Sequence, residues 1–364
     1  MTTHPNDRVF PTVPRTQAVD FLTALVRSGV LTDRQTEKVR DRVESGRYPR
    51  EPRGLARRLV ARGLLTEYQA LRLLRGDRPT LVVGPYVVVG RLGRGSMGRV
   101  YRARHRLMGR EVALKVISPD AACRRTAAAR FRRETLLLAR MDHPNVIRAF
   151  DAGVIGRDPY LVMEYFPARG LDHLIRERGH MPAAETLGYA AQAALGLAHA
   201  HARGVFHRDV KPSNLMVDDA GRLKVVDFGI GELAGPEDDG AAASRITGDG
   251  LSVGTVEYMS PERARGLAAD GRSDLYSLGC VMYHLLAGRL PFPARTPLAC
   301  LALRIAGPPA PLDGLRPDLP PALVAIVERL MALRPEDRYA DASAAADAMF
   351  ALLGKPDARG VSPS

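Results

Sequence analysis

The hydrophobic period of the chain changes part-way along its length. Residues 87–92, 99–103 and 111–117 are rich in valine and tyrosine and are bounded by glycine, which predicts strands. After Leu171, long stretches with apolar residues at helical spacing predict helices. Strands followed by helices favour an α+β fold of two lobes, with a β-rich N-lobe at residues 85–166 and an α-rich C-lobe at residues 167–353.

A second pattern repeats nearer the N-terminus. Residues 25–35 (LVRSGVLTDRQ) recur as residues 59–69 (LVARGLLTEYQ), 34 positions later. Each copy ends one helix at a glycine and begins the next with Thr-x-x-Gln, the spacing of a capping box. We therefore predict two helix-turn-helix hairpins over residues 20–76, which make a small all-α domain. The period is also that of tetratricopeptide repeats, but two copies without that motif's aromatic positions favour them only weakly.

Polar segments flank these two parts. We predict that residues 1–19 are a disordered N-terminus, residues 77–84 a linker and residues 354–364 a polar tail. No apolar run reaches the roughly 20 residues that a membrane span needs, and residues 1–13 lack a signal pattern, so we expect a cytoplasmic protein. The 3 cysteines are far apart, which fits reduced thiols and excludes a disulfide framework.

The 364 residues carry a net charge of +13, and +7 of it falls in the first 84 residues. An arginine-rich helical segment of this kind is either a solvated spacer or a surface that docks a protein partner. We do not expect binding to nucleic acid, because no DNA-binding helix-turn-helix signature, zinc motif or RNA-recognition motif accompanies the charge. Composition leaves a homodimer open.

The largest group of candidate catalytic residues lies in the predicted C-lobe. His207-Arg208-Asp209 is followed by Lys211 and Asn214, and Asp227-Phe228-Gly229 begins 13 residues after Asn214. This stretch places two carboxylates, a carboxamide and an ammonium close together, which can hold magnesium, a triphosphate and an attacking hydroxyl. We expect Asp209 to accept or orient the hydroxyl proton, Lys211 to neutralise charge on the moving phosphoryl group, and Asn214 and Asp227 to bind the metal.

A glycine-rich turn lies between two of the predicted strands. Gly93, Gly95 and Gly98 follow the pattern G-x-G-x-x-G, which dinucleotide-binding folds also use. Here the turn leads into a strand rather than a helix, and no acidic residue follows about 20 positions later to bind a ribose. The pattern thus favours a hairpin lid over phosphates. Taken alone, it fits an ordinary glycine turn equally well.

One lysine stands in the apolar strand that follows this turn. A buried ammonium such as that of Lys115 is costly unless it is paired, although a lysine at a strand edge can also extend to solvent. We expect Lys115 to contact the α- and β-phosphates and to pair with Glu134, which lies on a predicted helix. Because the pair forms only when that helix swings inward, we expect it to act as an on/off element.

Together, these motifs over residues 86–353 resemble the eukaryotic-like serine/threonine protein kinases of bacteria, preceded here by the small all-α domain. The resemblance implies ATP and Mg²⁺ as cofactors, Asp209, Lys211, Lys115 and Glu134 as catalytic residues, and a structural role for His207. It assigns the ATP contacts to three groups of residues. These are the glycine turn (Leu92, Gly93, Arg94, Gly95, Ser96, Met97, Gly98 and Val100), the strand residues Ala113 and Lys115, and the hinge residues Met163, Glu164 and Phe166.

The resemblance also covers the segment after Asp227. It implies an activation segment that ends at Ser260-Pro261-Glu262, where the family more often has alanine in the first position. Arg208 is a natural receptor for a phosphate on this segment. Thr247 is the first candidate phosphosite, followed by Ser244 and Ser252; the alternative is a segment that needs no phosphate.

Two structural roles and the substrate class follow from the same resemblance. Asp274 would brace the catalytic loop, and Arg338 would pair with Glu262. Lys211 is typical of serine/threonine-specific members, so the expected activity is transfer of the γ-phosphoryl group of Mg-ATP to protein hydroxyls, with autophosphorylation in signal transduction. A pseudokinase scaffold and a small-molecule kinase are the competing hypotheses. Many bacterial relatives continue into a membrane span, whereas this sequence ends at Ser364.

Overall fold

The structure is a computed structural model that describes residues 21–76, 81–95, 98–117, 135, 138–156, 158–228 and 256–354. These residues fall into two compact units. Unit 1 is bounded by Met1–Ser118 and Phe150–Tyr165, and unit 2 by Pro119–Ala149 and Phe166–Ser364. The predicted disordered terminus (residues 1–19) and most of the predicted tail (residues 355–364) lie outside the described residues.

Four helices open unit 1: α1 (Phe21–Ser28), α2 (Asp33–Glu44), α3 (Pro52–Ala61) and α4 (Glu67–Leu74). The two copies of the repeat therefore form the two predicted hairpins. Both capping boxes are present, with the threonine side chain accepting from the N3 backbone and the N3 glutamine reaching back to the cap: Thr32 with Gln35, and Thr66 with Gln69. Leucines at matching repeat positions, Leu25 and Leu59, lie buried in one shared core.

A six-stranded sheet follows in the same unit, in the spatial order β1-β2-β3-β4-β6-β5, and the pairs from β1 to β6 along this order are antiparallel. Its strands are β1 (Val82–Val83), β2 (Tyr86–Gly95), β3 (Gly98–His105), β4 (Glu111–Ile117), β5 (Ala149–Ile155) and β6 (Asp158–Glu164). Valines and a leucine that alternate along the strands, such as Val88, Val112 and Leu114, fill its core. The three strands predicted from valine and tyrosine content are all present.

Part of the predicted linker is a strand. Val82–Val83 pairs with β2, whereas residues 77–80 of the predicted linker lie outside the described residues. The neighbouring side chains explain why: Leu81 is buried in the core of the helices, and Val83 is buried in the core of the sheet. A segment with apolar contacts on both sides orders as a strand because β-branched valines fit a pleated, half-buried surface.

The helices and the sheet share one unit because α4 lies against β2. The side chain of Gln69, 3% exposed, donates from Nε2 to the carbonyl of Val88 at 2.7 Å, and Thr66 Oγ1 donates to the carbonyl of Val89 at 2.8 Å. These two residues also form the second capping box, so the same side chains begin the helix and hold it to the sheet. Gln35, in the first copy of the repeat, is exposed.

Unit 2 is mainly helical. Its helices are α5 (Leu171–Arg178), α6 (Ala183–His201), α7 (Pro261–Ala264), α8 (Gly271–Ala287), α9 (Pro297–Ala306), α10 (Leu312–Leu315), α11 (Pro321–Leu330) and α12 (Ala342–Leu352). A small sheet carries the catalytic segment, in the order β7 (Arg169–Gly170), β8 (Leu215–Val217) and β9 (Leu223–Val225). Alanines and leucines of α6 and α8 are almost fully buried, which makes these two helices the centre of the unit.

Within the described part of the chain, no helix is both long and apolar enough to cross a membrane.

Candidate active site

The catalytic loop of unit 2 holds its carboxylate through a short network. Lys211 Nζ donates to Asp209 Oδ2 at 2.7 Å, and Asn214 Nδ2 donates to the same oxygen at 3.3 Å and to the Asp209 carbonyl at 2.9 Å. No described residue donates a hydrogen bond to Asp209 Oδ1, and the Asp209 side chain is one-third exposed. Asp209 Oδ2 is therefore fixed, while Oδ1 remains accessible to a hydroxyl group that approaches from solvent.

Local backbone geometry positions Asn214 beside the strand that carries Asp227. Pro212–Asn214 forms one turn of 3₁₀ helix before β8, and the N–H of Val226 donates to the Asn214 carbonyl at 2.9 Å. Asp227 itself has a left-handed backbone, with φ of +63°, as does Arg208. Such conformations are strained for non-glycine residues and persist only where surrounding contacts enforce them, which is typical of functional sites.

His207 lies deep in this loop, only 1% exposed. Its Nε2 lies 2.9 Å from the carbonyl of Val226, so Nε2 carries the proton, and its Nδ1 accepts from the N–H of Asp209 at 3.2 Å. The ring also packs against Phe228, with 4.8 Å between ring centroids. Both nitrogens are engaged by the backbone, so the imidazole holds the loop together, in agreement with the structural role expected for His207.

Asp274, on α8, anchors the catalytic loop by accepting hydrogen bonds from its backbone. Its Oδ2 accepts from the N–H of His207 at 2.8 Å and its Oδ1 from the N–H of Arg208 at 2.7 Å. His201 Nε2 lies 2.8 Å from Oδ2 and is the contact that sequence reasoning missed. Burial alone would raise the pKa of Asp274, but the hydrogen bonds from His201 and the loop backbone outweigh it and hold the pKa below its usual value.

A buried ion pair fixes the segment that follows the catalytic loop. Arg338 donates from Nη1 and Nη2 to the two carboxylate oxygens of Glu262, each at 2.8 Å, and Ser273 also donates to Glu262. Burial opposes ionisation of Glu262, yet these hydrogen bonds hold its pKa at about 2. Arg338 further donates to the carbonyls of Ala332 and Arg272, so the guanidinium ties three chain segments together.

In unit 1, the strands align the nucleotide candidates in register. Lys115 on β4 is 4% exposed and faces Val100 on one side and Leu161 on the other, while Ala113 faces Met163. β4 therefore pairs on one side with β3, which follows the glycine turn, and on the other side with β6, which leads to the predicted hinge. Leu92 is 47% exposed, whereas Ala113 and Met163 are buried.

One glycine of the turn has a clear steric requirement. Gly98 has φ of +154°, and a Cβ placed there would overlap the carbonyl oxygen of Val116 on β4. Gly93 has no such neighbour within 4 Å among the described atoms. The close approach of β3 to β4 therefore explains why the third position of the motif is glycine.

Several predicted site residues lie outside the described residues. These are Ser96 and Met97 of the turn, Glu134, Gly229, and the three phosphosite candidates Ser244, Thr247 and Ser252. The side chain of Arg94 is also outside the description. The Lys115–Glu134 pair and the choice of phosphosite remain predictions.

The donor set of unit 2 fits magnesium. Asn214 uses its Nδ2 for Asp209, and no described residue donates to its Oδ1, so this oxygen has the chemistry that a magnesium ligand requires. Asp227 supplies a carboxylate on the segment bonded directly to the Asn214 backbone. Carboxylate and carboxamide oxygens are what Mg²⁺ prefers, with waters and phosphates completing its shell. Among the described residues, no cluster of three or more His, Cys, Asp or Glu suggests an all-protein metal cage.

The catalytic-loop residues of unit 2 and the strand lysine of unit 1 are each of the kinds that phosphoryl-transfer proteins use. The model of the protein kinase domain matches residues 86–350. The serine/threonine-protein kinase pkn2 of Myxococcus xanthus is 38% identical over 273 residues, 74% of this chain and 32% of that protein. The probable serine/threonine-protein kinase PknB of Corynebacterium glutamicum is 37% identical over 279 residues, 74% of this chain and 42% of that protein.

A solved structure agrees with these relatives. The PknI kinase domain of Mycobacterium tuberculosis superposes with a TM-score of 0.59 at 32% identity, covering 74% of this chain and 98% of that domain. The chain spans less than half the length of the curated relatives it matches. The chain belongs to the protein kinase family.

Proposed function

We propose that this protein is a serine/threonine protein kinase that transfers the γ-phosphoryl group of ATP to hydroxyls of proteins, including its own. The observation that carries the proposal is the catalytic network, in which Lys211 and Asn214 hold one oxygen of Asp209 and leave the other accessible. That geometry suits a group that orients a hydroxyl and takes its proton as the phosphoryl group moves.

Each remaining residue has a proposed task. Lys115 contacts the α- and β-phosphates and pairs with Glu134. The glycine turn covers the phosphates, and the hinge around Met163 binds adenine. Asn214 and Asp227 hold Mg²⁺, which when bound supplies positive charge to the phosphate oxygens. Lys211 adds a cation next to Asp209, where negative charge develops during transfer.

Features of unit 2 favour protein over small-molecule substrates. Glu262 is the last residue of the predicted activation segment, and its ion pair with Arg338 holds the end of that segment in place. Arg208, held with its backbone N–H on Asp274, precedes Asp209 and would receive a phosphate on Thr247, Ser244 or Ser252. Phosphorylation there would order the segment and switch on the enzyme.

For the N-terminal part, we propose a helical module at residues 20–76 that serves a protein partner. Its charge supports an interaction role, since the first 84 residues carry more than half of the net charge.

The direct test of the function is a labelling assay. Purified full-length chain with radiolabelled ATP and Mg²⁺ should transfer label to itself and to a basic test protein, and acid hydrolysis should release phosphoserine or phosphothreonine. ATP affinity is measured in parallel. Normal ATP binding without transfer would make the chain a nucleotide-binding scaffold, and label confined to a small-molecule acceptor would redirect the proposal to a metabolite kinase.

The glycine turn offers a second prediction. Gly98→Ala should lower the free energy of unfolding by about 1–3 kcal/mol, because the new Cβ meets the Val116 carbonyl and requires a strained backbone. ATP binding should weaken as the turn shifts, which calorimetric titration with Mg-ATP would measure.

Gly90→Ala is the matched control for this substitution. Gly90 lies on the same sheet, and no described atom lies within 4 Å of a Cβ built there. Its ATP affinity and stability should stay close to those of the parent protein. Equal effects of the two substitutions would show that the contact with Val116 has no special importance.

A further inference from the structure

A basic recess lies where α4 meets the sheet of unit 1. It has a volume of about 250 Å³ and is lined by Tyr68, Leu71, Arg72, Arg75, Arg91, Arg99 and Tyr101. Four of these seven residues are arginines, and no carboxylate is among the lining residues. The phosphoryl-transfer chemistry proposed above uses none of the seven.

Regular geometry brings these side chains together. On α4 and its C-cap, Tyr68, Leu71, Arg72 and Arg75 are spaced at i, i+3, i+4 and i+7, so they share one face of the helix. On the sheet, Arg91 of β2 is the register partner of Tyr101, and Arg99 stands two positions before Tyr101 on β3. Residues two apart on a strand and directly opposite across a ladder point to the same face. The recess is thus built from one helix face and one sheet face.

Three arginines of the recess are poorly compensated by the residues that the structure describes. Arg75, Arg91 and Arg99 are exposed, and none of them forms an ion pair with a described carboxylate. Guanidinium groups that lie close together in one recess repel one another, and a bound anion reduces that repulsion. Their planar forks match the oxygens of a phosphate group in pairs.

The two tyrosines add hydroxyl groups to the same recess. The ring centroids of Tyr68 and Tyr101 are 6.5 Å apart, with an angle of 57° between the rings. Burial raises the pKa of Tyr68, and the nearby Tyr101 raises it further, while Arg72, Arg91 and Arg99 partly oppose the rise. The Tyr68 hydroxyl therefore keeps its proton at neutral pH and can donate to an anion.

The size and shape of the recess favour one kind of anion, a phosphate ester on a small group. Sites for drug-sized ligands span roughly 300–1,000 Å³, so a recess of about 250 Å³ suits a phosphorylated side chain better than a whole nucleotide. The tilted tyrosine rings do not offer parallel faces between which a base could stack. A concave recess also differs from the open basic surface that lies along an anionic membrane.

We propose that this recess binds the phosphorylated side chain of a peptide, with Arg91, Arg99 and Arg75 gripping the phosphate and the Tyr68 hydroxyl donating to it. The site is distinct from the catalytic loop, which lies in unit 2. The residues of the recess belong to the helical module and to β2 and β3, and none of them is among the residues to which the proposed kinase function assigns a task.

The test is a binding measurement on the full-length chain. The probe is a short, fluorescently labelled, alanine-rich peptide with one central phosphothreonine, followed by fluorescence anisotropy. The parent protein should bind this peptide and should not bind the same peptide with unmodified threonine. The double substitution Arg91→Gln/Arg99→Gln should weaken binding at least about tenfold, because two charge-assisted contacts to the phosphate are lost.

A matched control separates the site from general electrostatics. Arg34→Gln/Arg40→Gln removes the same charge from exposed positions of α2, outside the recess, and should change the affinity by less than about twofold. Equal weakening by the two double variants would overturn the proposal, as would failure of the parent protein to bind the phosphopeptide. Thermal unfolding of each variant checks that all four substitutions leave the fold intact.

Competition distinguishes the possible sources of phosphate. Inorganic phosphate should displace the peptide only at much higher concentration than unlabelled phosphopeptide. If free phosphate competes equally well, the recess is a site for the free ion and the peptide proposal fails. If a single-stranded oligonucleotide binds more tightly and loses its binding in Arg91→Gln/Arg99→Gln, the partner is a nucleic acid and the proposal fails as well.

Discussion

Asp209→Asn is expected to reduce phosphoryl transfer by about 10³-fold while ATP binding and thermal stability stay close to those of the parent protein. Proton transfer by a positioned side chain typically contributes about 10²–10⁴-fold to a rate, and an amide cannot accept the substrate proton. Asparagine has nearly the same shape, so the contacts from Asn214 Nδ2 to the backbone carbonyl and from His207 Nδ1 to the residue 209 N–H survive. Single-turnover labelling with Mg-ATP measures the change.

The matched control is Asp219→Asn. Asp219 lies in the turn between β8 and β9, only ten positions from Asp209, with its side chain 99% exposed. Its substitution should leave the transfer rate within about twofold of the parent. Retained turnover in Asp209→Asn would show that another group takes the proton, whereas loss of ATP binding would show that Asp209 matters for the fold of the loop instead.

Arg338→Ala should cost about 3–5 kcal/mol of unfolding free energy, which is a large share of the stability of a typical domain. The substitution removes both hydrogen bonds that reach the Glu262 carboxylate from Nη1 and Nη2 and leaves that carboxylate buried. It also orphans the carbonyls of Ala332 and Arg272. Urea denaturation followed by circular dichroism measures the loss.

Two further variants test the cause of this effect. Arg334→Ala removes an exposed arginine four residues earlier and should cost less than about 0.5 kcal/mol. Adding Glu262→Ala to Arg338→Ala should cost less than the sum of the two single substitutions, because the second change removes the buried charge that the first left unpaired. Strict additivity of the two would mean that the pair acts through packing rather than charge.

The sequence predicted the fold class because its signals are local. Valine-rich strands bounded by glycine, and capping boxes at Thr32 and Thr66, depend only on neighbouring residues, and the structure has all of them. The order of Asp209, Lys211, Asn214 and Asp227 also pointed to the chemistry. Their hydrogen bonds follow from a short loop and two short strands, so little long-range information was needed.

Contacts between distant segments were harder to predict. His201 lies 73 positions from Asp274, and nothing in its neighbourhood marks it as a partner of a buried carboxylate. The sequence pattern does not reveal the strand at Val82–Val83, because two residues are too few to show a period. The apposition of α4 and β2 depends on Gln69, whose role in a capping box concealed its second bond to the Val88 carbonyl.

The hydrogen bond from Gln69 to the Val88 carbonyl affects where the chain can be truncated and how the helical segment can be replaced in evolution. A boundary drawn after residue 76 would remove a hydrogen-bond donor from the Val88 carbonyl and expose Leu81, which is buried in the core of the helices. The helices are therefore packed and hydrogen-bonded against the sheet, and we expect their removal to destabilise it. Loss of the segment and acquisition of a new one in evolution would each require compensating changes along β2.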